Sequence, residues 1–223
     1  MKEQIKILNL YACLGGNRYK WDEVAEDAGI EIEVTAVELD PELARMYQER
    51  FPNDKVVIAD AHQYLLDHYK KFDFIWTSPP CPTHSKSRFW AYGKTKPVFP
   101  DMKLYEEIIF LQHHCPDEIK WVCENVNGYY EPLIAAKIQG RHLFWSNFEL
   151  PNIIKKDITG QMNFKSEYKP LMEFHKIEKF DYSGNQNKLK ILRNLVDYEV
   201  GKAILERALN IQKQNNTKQT TLF

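Results

Sequence analysis

The feature that most constrains this chain is an alternation repeated over its first 145 or so residues: a short apolar run, a break at small or turn residues, then apolar residues at helical spacing. Ile5 to Leu10 is the first run, stopping at Gly15-Gly16. Tyr19, Trp21, Val24 and Ala28 then recur at helical spacing. Glu33 to Glu38 predicts a second strand, and Pro41 to Arg50 a helix with proline in its first turn. The rhythm continues through a strand at 55–59, a helix at 63–69, a strand at 72–76, a helix at 104–114, a strand at 120–123 and a helical stretch at 131–139. A further strand is expected at 142–145. Such alternation implies an α/β fold with a parallel sheet covered by helices on both sides.

Composition agrees with a folded core. The 223 residues are 43% hydrophobic with 9 Gly, 11 Pro and 4 Cys, which excludes collagen-like, disordered and disulfide-scaffold classes. No run approaches the length of a membrane helix, and Met1 to Lys6 leads straight into a strand, so a soluble, cytoplasmic protein is expected. Thirty basic against 31 acidic residues argue against a surface that coats nucleic acid everywhere, leaving room for a local basic face. The cysteines at 13, 81, 115 and 123 lack the paired spacing of a zinc site and read as reduced thiols.

From Glu149 to about Lys190 the pattern dissolves into Pro, Lys, Asn and aromatic residues, read as a small irregular subdomain. A helix is expected again from about Val196 to Gln212, ahead of a polar tail. The expected organisation is a main domain at 1–148, the irregular region at 149–190, a returning helix at 191–212 and a flexible tail at 213–223.

In a parallel sheet ligands bind beyond the carboxyl ends of the strands, so the residues after each strand are candidates. Tyr11-Ala12-Cys13-Leu14-Gly15-Gly16 follows the first strand, where small residues permit close backbone approach and a helix amino end begins. A Gly-Gly turn is also an ordinary link between strand and helix. Glu38-Leu39-Asp40 closes the second strand, placing a carboxylate to accept from ribose hydroxyls, and Asp60-Ala61 closes the third. Glu38 and Asp60 read equally as helix caps. Thr77-Ser78-Pro79-Pro80-Cys81 follows the fourth strand. Two prolines fix the backbone before a cysteine set among His84, Lys86 and Arg88, whose charge would favour thiolate. Glu124-Asn125-Val126 stands at the end of the fifth, either facing Cys81 or capping a following helix. A thiolate and a proton-holding carboxyl group together suit cytosine: sulfur adds to C6, the acid bonds N3, and C5 becomes nucleophilic.

With these motifs in order, the sequence resembles the DNA cytosine-5 methyltransferases. The resemblance rests on Leu10 to Gly16, Glu38 to Asp40, Asp60, Pro79-Pro80-Cys81 with Ser85, and Glu124-Asn125-Val126. Gln139-Gly140-Arg141 is similar to the family's Gln-x-Arg-x-Arg element, and Arg193-Asn194-Leu195-Val196 to its Gly-Asn-Ser-Val element. Departures are Asn9 for Asp, Cys13 for Gly, Pro82 for Gln, Leu143 for the second Arg, and Arg193 and Leu195 for Gly and Ser. The resemblance implies a Rossmann-like sheet that uses S-adenosylmethionine, with a small irregular recognition subdomain. It implies Cys81, Glu124 and Arg141 as catalytic residues. It places Tyr11, Cys13, Gly15, Gly16, Glu38, Leu39, Asp60, Ala61, Pro80 and Asn194 at the cofactor, and no metal.

The implied substrate is a cytosine flipped out of double-stranded DNA. Ser85, Lys86, Arg88 and Trp90 are the candidate DNA contacts, in a loop to Pro100 that mixes cations with aromatics. The small 149–190 interval implies a short target of about two to four base pairs. An RNA cytosine-5 methyltransferase and a catalytically silent nucleic-acid binder are the rivals. Gln219-Thr220-Thr221-Leu222-Phe223 resembles the peptide by which bacterial and phage proteins engage sliding clamps. A monomer is expected, in the cytoplasm of a bacterial or phage-infected cell.

Overall fold

The fold was established from a computed structural model, which describes residues 3–152 and 167–211. Among them is a seven-stranded sheet: β1 (Gln4–Leu10), β2 (Glu31–Glu38), β3 (Lys55–Ile58), β4 (Phe74–Thr77), β5 (Lys120–Val126), β6 (Lys137–Gln139) and β7 (His142–Ser146). Their order is β3-β2-β1-β4-β5-β7-β6. The first five pair in parallel, and β7 runs antiparallel to both β5 and β6. The helices are α1 (Trp21–Ala28), α2 (Pro41–Arg50), α3 (Ala61–His68), α4 (Ser87–Ala91), α5 (Lys103–His114), α6 (Tyr168–Phe174), α7 (Lys188–Asn194) and α8 (Tyr198–Ala208). This is the expected Rossmann-like α/β fold, with a switch point between β1 and β4, where the chain leaves one half of the sheet for the other.

Side-chain alternation shows why the buried stretches of the central strands are mostly apolar on both faces. Leu8, Leu10, Ile75, Trp121 and Cys123 join Leu65 of α3 and Leu104, Ile108 and Leu111 of α5 on one face. Ile7, Phe74, Trp76 and Val122 join Trp21 and Val24 of α1 and Val200 and Ile204 of α8 on the other. Both faces are covered, so every second residue still needs an apolar side chain.

Caps set the element ends. Pro41 opens α2 behind Asp40, whose carboxylate accepts from the Glu42 and Leu43 amides at 2.9 and 3.3 Å. Asp60 caps α3 through the Gln63 amide at 3.0 Å. α8 is stapled to α1 by ion pairs of Lys20 with Glu199 and Lys202 with Glu23.

Three expectations are corrected. Residues 131–136 form no helix: Pro132 interrupts the segment, and its backbone is satisfied from outside, the Tyr105 hydroxyl accepting from the Leu133 amide (3.2 Å) and Ile134 O accepting from Trp145 Nε1 (3.0 Å). The chain then enters β6 and reverses at Gly140, whose φ of 61° suits glycine. β5 runs past Cys123 because β7 continues to pair with it, Glu124 lying opposite Phe144 and Asn125 opposite Leu143. The last helical region is two helices, divided at Leu195-Val196-Asp197, with Asp197 capping α8.

The described part of the irregular region packs, together with α7, on the first loop and α2. Leu171, Phe180, Tyr182, Ile191 and Leu192 form a cluster with Leu14 of the first loop and Leu43 and Met46 of α2. The Gln219–Phe223 segment lies outside the described residues. No helix among the described residues is long and apolar enough to cross a membrane.

Candidate active site

Beyond the carboxyl ends of the parallel strands lies a cavity of about 830 Å³, within the usual range of about 300–1,000 Å³ for small-molecule sites. β1 delivers Tyr11 and Cys13 to it, β2 delivers Glu38, Leu39 and Asp40, and β3 delivers Asp60 and Ala61. From the other half come Pro79, Pro80 and Cys81 after β4, Glu124 and Asn125 in β5, and Arg141 at the turn into β7. Lys190 and Asn194 of α7 and Gly184 to Gln186 close the side.

The first loop is bent by left-handed backbone at Tyr11 (φ 56°) and Cys13 (φ 49°). Glu38 holds the bend: one carboxylate oxygen accepts from the Cys13 amide at 2.8 Å, the other from the Asp40 amide at 2.9 Å. Burial raises the Glu38 pKa against these bonds. The residue lines the cavity beside the exposed Leu39. Asp60 is therefore both a helix cap and a cavity residue, as two readings of the sequence allowed. Asp40, already a cap, also accepts from the Tyr182 hydroxyl at 2.7 Å and Gln186 Nε2 at 3.1 Å, which draws the 182–186 segment over this end.

Gly15 and Gly16 do not line the cavity. Both are buried, and their smallness serves packing: a Cβ on Gly15 would lie 2.4 Å from Phe51, and one on Gly16 2.4 Å from the Val196 carbonyl oxygen.

Cys81 is half-buried at the start of a tight turn, its carbonyl accepting from the His84 and Ser85 amides at 3.0 and 3.1 Å. Asn125 Nδ2 donates to the Pro79 carbonyl at 2.9 Å, fastening the nucleophile loop to β5. Burial, then the Glu124 charge, push the Cys81 thiol up, while Lys190 and Arg141 pull it down. The expected cation set is thus corrected. His84 is buried against Tyr130, at 2.6 Å, and burial lowers its pKa, so it carries no charge toward the sulfur. Lys190, which sequence reasoning missed, takes that place; only its position one helical turn before Asn194 pointed to it.

The other thiols are poor nucleophiles. Cys13 and Cys123 are driven well up by burial and neighbouring carboxylates, and burial pushes Cys115 up to about 11. Glu124 is buried, with His142 Nε2 3.8 Å from its carboxylate. Arg141 is exposed and donates to the Arg193 carbonyl, which leans the β6–β7 turn on α7. Arg193 itself is held by Glu167 at 2.7 Å.

Ser85, Lys86, Arg88 and Trp90 do not line the cavity. Ser85 bridges to Gly128, and α4 carries Arg88 and the exposed Phe89 and Trp90 on the adjoining surface.

Residues 5–109 match the family model of the C-5 cytosine-specific DNA methylase. Over this stretch, a little under half of its length, the chain is similar to the C-5 cytosine-specific DNA methylases. The family match includes Cys81 and ends before Glu124, Arg141 and Asn194, which the sheet and α7 bring to the same cavity. Among solved structures, a variant of Spodoptera frugiperda DNMT2 is 23% identical, covering 56% of this chain and 36% of its own, with a TM-score of 0.37. The Entamoeba histolytica methyltransferase EhMeth is 14% identical, covering 56% and 39%, with a TM-score of 0.39. A TehB-like methyltransferase from Corynebacterium glutamicum is 16% identical, covering 60% and 61%, with a TM-score of 0.36. The alignment thus spans little more than a third of the DNMT2 and EhMeth chains. No curated protein matches the chain.

Proposed function

We propose that this protein is a cytosine-5 methyltransferase that transfers a methyl group from S-adenosylmethionine to C5 of a cytosine flipped out of duplex DNA. The observation that carries the reading is the meeting of Cys81 and Glu124 in one cavity, close enough that the carboxylate charge raises the thiol pKa.

The cavity suits the cofactor by its donor set. The Glu38 carboxylate is fixed by two amides yet open to ribose hydroxyls, Leu39 and the Tyr11 ring offer apolar surface to a purine, and Asp60 accepts at its edge. S-adenosylmethionine, when bound, supplies an electrophilic methyl on sulfur.

The protein's own groups do the rest. Cys81 loses its proton, and Lys190 and Arg141 stabilise the thiolate. Its sulfur bonds to C6 of the cytosine while Glu124, charged at rest and taking a proton from solvent as the base enters, donates to N3 and withdraws the charge pushed into the ring. The electron pair that reaches C5 would take the methyl group, the methyl–sulfur bond breaking with its electrons left on sulfur as S-adenosylhomocysteine. Loss of the C5 proton to solvent then re-forms the C5–C6 double bond, expelling Cys81 as thiolate. Arg141 holds the cytosine carbonyl or its neighbouring phosphate. C6 is inaccessible inside a stacked duplex, so the base must leave it. Lys86, Arg88 and Trp90 supply phosphate contacts and an aromatic surface beside the cavity, which makes the reaction sensitive to salt.

The test is methyl transfer from labelled S-adenosylmethionine to duplex DNA and to transcripts of matching sequence. Label at C5 of cytosine in the duplex supports the reading. Label in transcripts alone replaces DNA by RNA, and no cofactor binding at millimolar concentration marks the protein as a silent binder.

A further inference from the structure

Beneath the cavity, α5 buries a carboxylate that the reaction does not use. Glu107 is 0% exposed among Leu104, Ile108 and Leu111, where an apolar side chain would pack without the cost of desolvating a charge. Three groups instead converge on it. The Tyr11 hydroxyl donates to Oε1 at 2.5 Å, the Thr77 hydroxyl to Oε2 at 2.7 Å, and His62 Nδ1 lies 3.1 Å from Oε1.

The three partners come from three different loops. Tyr11 follows β1, has a left-handed backbone and lines the cavity. Thr77 is the last residue of β4, four positions before Cys81, and is itself fully buried. His62 directly follows Asp60-Ala61, which also line the cavity. One carboxylate therefore ties the floor of the cofactor side to the strand end from which the nucleophile loop departs.

We propose that Glu107 is a positioning residue that couples cofactor seating to the placement of Cys81. Through the Tyr11 hydroxyl it fixes the ring against which the cofactor lies. Through Thr77 it fixes the exit of β4. Occupancy of the cavity, by pressing on Tyr11, is transmitted through Glu107 to Thr77 and the turn holding Cys81. This inference rests on the proposed function, because it takes S-adenosylmethionine as the occupant.

The experiment measures S-adenosylmethionine affinity by calorimetry, and the rate of Cys81 alkylation by iodoacetamide with and without cofactor. The full chain is used as wild type, Glu107→Gln, Tyr11→Phe and the double variant. Wild type is expected to bind and to change its Cys81 alkylation rate on binding. Glu107→Gln and Tyr11→Phe are each expected to weaken binding about tenfold, the double variant no further, and cofactor is expected to lose its effect on alkylation in all three. Should Glu107→Gln fail to fold, Tyr11→Phe, which removes a single hydroxyl, carries the test. Wild-type affinity and an unchanged alkylation response in Tyr11→Phe, or fully additive losses in the double variant, overturn the coupling. Failure of the wild type to bind overturns the reading beneath it instead.

Discussion

Asn125 Nδ2 donates to the carbonyl oxygen of Pro79 at 2.9 Å, and both residues are buried. The bond joins the strand carrying Glu124 to the loop carrying Cys81 across 46 residues of sequence. Asn125→Ala leaves that carbonyl without its donor, a loss of about 1–3 kcal/mol, and frees the loop. Methyl transfer is expected to fall about 100-fold, since a displacement of about 1 Å at reacting groups has that effect. Single-turnover kinetics check it, with chemical denaturation for the stability change.

The Cys81 thiol titrates against burial and Glu124 on one side and Lys190 and Arg141 on the other. Its alkylation by iodoacetamide should therefore rise with pH along a curve displaced above that of an ordinary thiol, about 8.5. Glu124→Gln removes a charge that opposes thiolate, so the midpoint moves down. Lys190→Ala removes one that favours it, so the midpoint moves up. Identical curves for the three proteins would show that these charges do not reach the sulfur.

Gly16 is required by the Val196 backbone. A Cβ there meets a carbonyl oxygen that cannot move cheaply, and overpacking of this kind costs about 1–3 kcal/mol. Gly16→Ala is expected to melt several degrees lower. An unchanged melting temperature with lost cofactor binding would return the residue to the ligand site.

His62 is raised from its ordinary value by the hydrogen bond to Glu107, with Glu106 adding to the rise and burial and Lys103 opposing it; Asp60 lies two residues away. A histidine raised by folding stabilises the fold fully below the unfolded value, about 6.5, and less as pH climbs through the folded value. His62→Gln should thus lose more stability at pH 5.5 than at pH 8.5, read as urea midpoints. A loss independent of pH would mean that the bond does not involve the charged imidazole.

The sequence made the order of strands and helices legible because a two-sided parallel sheet leaves continuous apolar runs, each ending in a chemically distinctive residue. Glu38, Asp60 and Cys81 stood out for that reason. The fold's last third was harder to see. Residues 131–136 satisfy their backbone through Tyr105 and Trp145, partners 10 or more positions away that no local pattern announces. Glu124 read as a strand end because its strand partner, Phe144, comes later and runs antiparallel. Gly15 and Gly16 carry a pattern that fits a ligand loop or close packing equally, and only the positions of Phe51 and Val196 separate the two. Glu107 stands at helical spacing with Leu104, Ile108 and Leu111, which puts it on the buried face of α5, but its partners Tyr11, His62 and Thr77 lie 30 or more positions away and no local pattern announces them.

The central claim is that Cys81 attacks C6 of a flipped cytosine while Glu124 holds N3. Incubating the protein with S-adenosylmethionine and duplex DNA containing 5-fluorocytosine, whose C5 fluorine cannot leave as a proton does, should trap the intermediate. Peptide mass spectrometry is expected to find the methylated base bonded to Cys81, with no adduct from Cys81→Ser and a much reduced yield from Glu124→Gln. Methylated product without any adduct, or an adduct on another residue, would contradict the account.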